Sequence, residues 1–193
     1  MTHLASSFAP GLALVVLALA QPWLERRMFL HMLVELPLLV AIGAWAATRA
    51  RRGGPAWFAS IDANGLTGLT FAVCVSAFWM LPIALDAAVL VPVIGVAKIA
   101  SLVLAGALAT LSFRRARAAV QAFFVLNWVW MTAVAGVVYQ QAPERLCNTY
   151  LQGDQAWTGM GLVALASVAA VAWMWLAFRE PTNSPVEAAF TGS

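Results

Sequence analysis

Polar residues along this chain are confined to short breaks between long apolar runs. Six runs fall near 4–22, 28–48, 65–90, 93–113, 118–140 and 157–178, each close to the roughly 20 apolar residues that a bilayer-crossing helix needs. Only the turn at Val91-Pro92 separates the third run from the fourth. Pro92 cannot continue the preceding helix, yet it suits the first turn of the next. The pattern predicts an all-α polytopic bundle of six transmembrane helices, a single domain over 1–180, with a short polar cytoplasmic tail at 181–193. Ala18-Leu19-Ala20 resembles a signal-peptide cleavage site. The leader before that run lacks the positive charge of a signal, so the run is read as a retained span.

Composition sharpens this picture. Hydrophobic residues make up 63% of the 193 and charged residues only 10%, with a mean hydropathy of +0.85. A soluble domain carries about 25% charged residues, so a soluble enzyme, a disordered chain and a nucleic-acid binder are all excluded. The net charge of +3 therefore bears on membrane orientation. Arg49, Arg51, Arg52, Arg114, Arg115, Arg117 and Arg179 fall on one side, against Arg26, Arg27 and Arg145 on the other. By the positive-inside rule the first group and both termini are expected in the cytoplasm. The segment 55–64 is expected to lie along that interface, anchored by Trp57 and Phe58.

Charged groups at membrane depth cost about 2.5–3.5 kcal/mol each even on lenient scales. Glu35 lies about seven residues inside the second span, or ~10 Å, and Lys98 about five residues inside the fourth, or ~8 Å. At nearly equal depth on one side, they are expected to form an ion pair. A proton path would need further relay groups, and only Asp86, nearer the end of the third span, is available. Asn127, mid-span beside Trp128 and Trp130, is expected to make an interhelical hydrogen bond.

Met28, His31, Met32 and Glu35 recur at offsets 0, 3, 4 and 7, which places them on one helical face. Thioether and imidazole groups suit Cu(I), so Met28, His31 and Met32 are candidate copper ligands. Ordinary packing by the two methionines is the competing reading. His3 falls at the opposite end, which argues against a haem held between the two histidines. Cys74 lies mid-span and Cys147 in a loop, so no disulfide joins them.

The stretch Met28-Phe-Leu-His-Met-Leu-Val-Glu-Leu-Pro-Leu-Leu-Val-Ala-Ile-Gly43 resembles a helix of the CtaG-type cytochrome c oxidase assembly proteins. Leu85-Asp86 followed by Pro92 and the Leu102-to-Gly106 stretch is a second match. Asp154-Gln155-Ala-Trp-Thr-Gly159, at the start of a late helix, is a third. The three occur in family order across residues 28–160. The resemblance implies a bacterial inner-membrane protein that serves a haem-copper oxidase and handles copper. Two family features are altered. Glu35 stands where the family has the second of two histidines four apart, and Val93-Ile-Gly-Val-Ala-Lys98-Ile99 contains none of the histidines of the family's following helix.

These residues lead to an expectation of a non-enzymatic accessory protein, an assembly factor or integral subunit of a terminal oxidase, with a degenerate or absent copper site. Its partners would be membrane lipid and other transmembrane subunits. Two alternatives stand beside it. One is a metal- or haem-binding electron-transfer protein using His31. The other is a small transporter, for which broken helices and midplane polar groups are the signature.

Overall fold

A computed structural model describes residues 2–49, 55–147 and 149–179, with side chains from Ala9 onward. Arg51, Arg52, the His3 side chain and the tail at 181–193 lie outside the described residues. Among those described the chain is predominantly helical, with no strand. The helices are α1 (Thr2–Leu24), α2 (Met28–Arg49), α3 (Ala56–Ile61), α4 (Leu66–Trp79), α5 (Pro82–Leu90), α6 (Pro92–Phe113), α7 (Ala118–Gln141) and α8 (Gln152–Arg179). Of these, α2, α6, α7 and α8 are long and apolar enough to cross a membrane. The protein is thus a membrane protein with four candidate spans, or five if a bent pair counts as one. The first expected span is the shorter apolar helix Ala9–Leu24.

That bent pair is the run expected as one span over 65–90. It is two helices, α4 and α5, meeting at 78°. Pro82 sits at the start of α5 after an extended Leu81, because a proline there has no N–H for the preceding turn and crowds its carbonyls. Backbone groups freed inside an apolar layer must find partners. The Tyr139 hydroxyl supplies one, donating to the Met80 carbonyl at 2.6 Å. Trp79 Nε1 bonds Ser101 Oγ at 2.9 Å and pins the bend to α6.

Two close helix pairs organise the rest. α2 packs on α6, and α7 on α8. At the first crossing a Cβ on Gly43 would strike the Val103 carbonyl, and one on Gly106 would strike that of Val40. These reciprocal contacts let the two backbones touch, as small residues do between helices in lipid. Gly159 plays the same part between α8 and α7, against Gly136. Asn127, expected to bridge helices, faces outward from α7. Its neighbour Trp128 makes the bridge instead, from Nε1 to Ser76 Oγ at 3.0 Å.

The start of α2 departs from regular geometry. Residues His31–Glu35 form a π-turn in which the Leu36 N–H reaches back five residues to the His31 carbonyl. Pro37 accounts for it, since it cannot donate to the carbonyl of Leu33 and its ring pushes that carbonyl aside. Such wide turns occur mostly as single insertions in α-helices, often at functional sites.

Candidate functional site, a caged ammonium

Met28, His31, Met32 and Glu35 are all buried, as their shared face requires. The close α2–α6 contact brings Lys98 against this face. Its Nζ lies 2.6 Å from Glu35 Oε1, and the lysine side chain has no exposure at all. The pairing anticipated from depth is present, but it is incomplete as a description. Nζ also donates to Glu25 Oε1 at 2.7 Å and to His31 Nε2 at 2.9 Å. An ammonium has three N–H donors, and each has one acceptor here.

This arrangement fixes the histidine tautomer. An ammonium can only donate, so Nε2 carries a lone pair and Nδ1 carries the proton. Nδ1–H then donates to the Tyr150 hydroxyl oxygen at 2.7 Å. Gln21 Nε2 donates to the same Glu25 oxygen at 2.8 Å. Four segments thus converge, namely the end of α1, the π-turn, α6 and the loop before α8. In that loop, burial pushes the Tyr150 hydroxyl pKa upward, with the Glu25 carboxylate adding to the effect.

The shell is rich in acceptors. Glu35 Oε2 is buried with no hydrogen-bond partner, and it lies 3.8 Å from His31 Nε2. With both carboxylates ionised and His31 neutral, one ammonium leaves a net charge of −1. Glu25, His31 and Glu35 offer three ligand atoms within 4.8 Å of one another, a cluster that could hold a metal ion.

The composition of that cluster bears on copper. Two carboxylates and one imidazole form a hard to intermediate donor set, whereas Cu(I) selects thiolate and thioether. Met28 and Met32 pack in the apolar cluster with Leu24, Leu85 and Leu102. Glu25, His31 and Glu35 as a donor set do not suit Cu(I); the His31, Met28, Met32 set expected from spacing shares only His31 with this cluster. Glu25 carries no signal of its own in the sequence, because it stands beside Arg26 and Arg27 in a short turn. Its offset of ten residues from Glu35, across a helix reversal, gave no periodic signal.

The remaining motif residues build the same end of the bundle. Gln155 is buried. Its Oε1 accepts the Leu146 N–H at 2.9 Å and its Nε2 donates to the Tyr139 carbonyl at 3.2 Å, so it ties the 142–151 loop to α7. Asp86 is buried and accepts the Thr149 N–H at 3.3 Å. Cys147 is also buried there, its thiol pushed up to about 12 by burial and by Asp86. Asp154 opens α8 and lines a surface groove with Trp23, Arg26, Arg27 and Trp157. Together Gln155 and Asp86 hold the loop that delivers Tyr150 to His31.

A second polar cluster, unmarked in the sequence, closes the other end of α6. Asp62, in the segment 55–64 expected along the interface, is buried. Its Oδ1 accepts the Gly68 N–H at 3.2 Å. Its Oδ2 accepts from Ser112 Oγ at 2.9 Å and from Arg115 Nη1 at 3.0 Å. A left-handed Asn64-Gly65 pair makes the turn that points Asp62 inward. No family model, curated protein or solved structure matches this chain.

Proposed function

We propose that this chain is a membrane accessory protein of a respiratory haem-copper terminal oxidase, as assembly factor or integral subunit, in which a degenerate metal site has become a structural cage. The observation that carries the reading is Lys98 Nζ, seated at 2.6–2.9 Å from two carboxylates and an imidazole. A cation covalently tied to the chain fills the place where ligands converge, so the helices are held without a metal. The motif resemblance over residues 28–160 supplies the respiratory setting. The same reading takes six spans with both termini cytoplasmic in a bacterial inner membrane, supported by the bias of arginines toward one side.

Loss of the protein should lower the level of assembled oxidase several-fold, measured by haem spectra of membranes from a deletion strain. A normal level would refute the accessory role. A small transporter is the second reading, favoured by the 78° break between α4 and α5. Co-purification with oxidase subunits separates the two, since a transporter would purify alone.

A further inference from the structure

We infer that Glu25, His31 and Glu35 form a divalent-cation site of the zinc or cobalt class, and that Lys98 is the tethered cation that keeps it closed. The inference rests on the reading of Lys98 as a stand-in for a metal, and goes beyond it by naming the ligands and the class of ion. Three observations converge on one point between α2 and α6.

The donor lone pairs already face a cation. Glu25 Oε1, Glu35 Oε1 and His31 Nε2 each accept from Nζ, so removal of the ammonium leaves three aligned ligand atoms. Metal–ligand distances for zinc are about 2.0–2.2 Å to carboxylate oxygen and imidazole nitrogen. The present 2.6–2.9 Å would need each ligand to move inward by about half to nine-tenths of an ångström.

The outer partners are those of a metal site. A ligating histidine usually donates its other N–H to a second group, which fixes tautomer and ring orientation. Tyr150 accepts that N–H from His31 at 2.7 Å, and Gln21 steadies the Glu25 carboxylate.

Charge and valence both ask for more than an ammonium supplies. Glu35 Oε2 is buried, unpartnered and 3.8 Å from His31 Nε2, positioned to become a further ligand atom. The net charge of −1 around Lys98 would become zero around a divalent ion. A monovalent soft ion such as Cu(I) would leave the charge unchanged and meet oxygen donors it does not prefer.

The test uses the purified full-length chain in detergent, titrated with Zn2+ and with Co2+. K98A should bind one ion per chain at least 100-fold more tightly than the wild type. Adding H31A or E35Q to K98A should weaken that binding at least 10-fold. Folding is followed by helical circular dichroism and elution volume. If K98A folds only when zinc is present during expression, the ion is replacing the ammonium, as inferred. A folded K98A that binds no ion overturns the inference, as does binding indifferent to H31A and E35Q, or wild-type binding as tight as K98A. Failure of both K98A and K98S to fold with zinc present overturns it too. None of these outcomes changes oxidase level in a deletion strain, so this inference and the accessory role can fail separately.

Discussion

The two ends of α6 solve the same problem in opposite ways. Lys98 and Ser112 are fourteen residues apart on one helix, about 21 Å at 1.5 Å per residue, and each sits in a buried polar cluster. At the Ser112 end a carboxylate is the centre, and Asp62 takes a backbone N–H, a hydroxyl and a guanidinium. Both its oxygens have partners, and the Arg115 side chain keeps 21% of its exposure, so the charge is shared with the surroundings. At the Lys98 end a cation is the centre, wholly buried, and acceptors outnumber donors. Glu35 Oε2 has no partner. A carboxylate capped by three donors is a finished latch, whereas an ammonium caged by excess acceptors has capacity for a stronger cation.

The difference sets an order of sensitivity. K98M should have the largest effect, because it strands two carboxylates. Breaking one side of a buried ion pair costs roughly 3–5 kcal/mol, to be read as a fall in thermal midpoint or loss of folded yield. Replacing Glu35 as well should recover only part of that, since Glu25 stays in the turn, 87% buried. The triple replacement K98M/E25Q/E35L should recover most of it. Equal recovery by the double and triple variants would remove Glu25 from the cage.

G43A or G106A should come next. A methyl at either position meets backbone of the facing helix, and overpacking of this kind costs about 1–3 kcal/mol. Because it wedges α2 from α6, zinc binding in a K98A background should weaken alongside stability. An effect on stability alone would mean that the cage tolerates a wider crossing.

D62N should cost less than K98M, about 1–3 kcal/mol, the range for leaving a buried hydrogen-bonding group short of a partner. It keeps Oδ1 for Gly68 but puts an amide NH2, a donor, where Oδ2 accepts from Ser112 and Arg115. Urea or thermal unfolding of the two variants side by side checks the ranking. If D62N proves the more damaging, the finished-latch description fails.

The smallest effect is expected at Tyr150. Y150F removes the one acceptor of the His31 Nδ1–H, a loss at the lower end of the range of about 1–3 kcal/mol, while the ring stays in place. In the K98A background the same change should loosen zinc measurably. Cys147 in the same loop should resist thiol reagents at neutral pH, being buried with a pKa near 12. Topology is better probed by a cysteine introduced at exposed Glu144, which should react from the side opposite Arg115.

How much of this was legible beforehand differs from residue to residue. Glu35 and Lys98 could be paired from depth alone, because apolar runs set a ruler of 1.5 Å per residue and lipid offers no alternative partner for either charge. Their face on α2 was legible for a related reason, since helical period decides which side chains share a side. The bend at Met80 is marked by Pro82 but not by hydropathy, which counts apolar residues without regard to backbone direction, and α4 and α5 are equally apolar. Glu25 and Asp62 were hidden by their neighbours, a turn rich in arginine in one case and an aromatic interfacial strip in the other.

The sequence by itself determined that this chain is helical and belongs in a membrane, which residues face inward on α2, and that Lys98 must meet a carboxylate. Those follow from solvation and periodicity, which are local or additive along the chain. Only the tertiary structure decided that three acceptors surround the ammonium, that Lys98 fixes the histidine tautomer with Tyr150 as the outer acceptor, and that one carboxylate oxygen is left over. Those depend on the distance between backbones, fixed where Gly43 and Gly106 let α2 touch α6, and no one-dimensional pattern records such a distance.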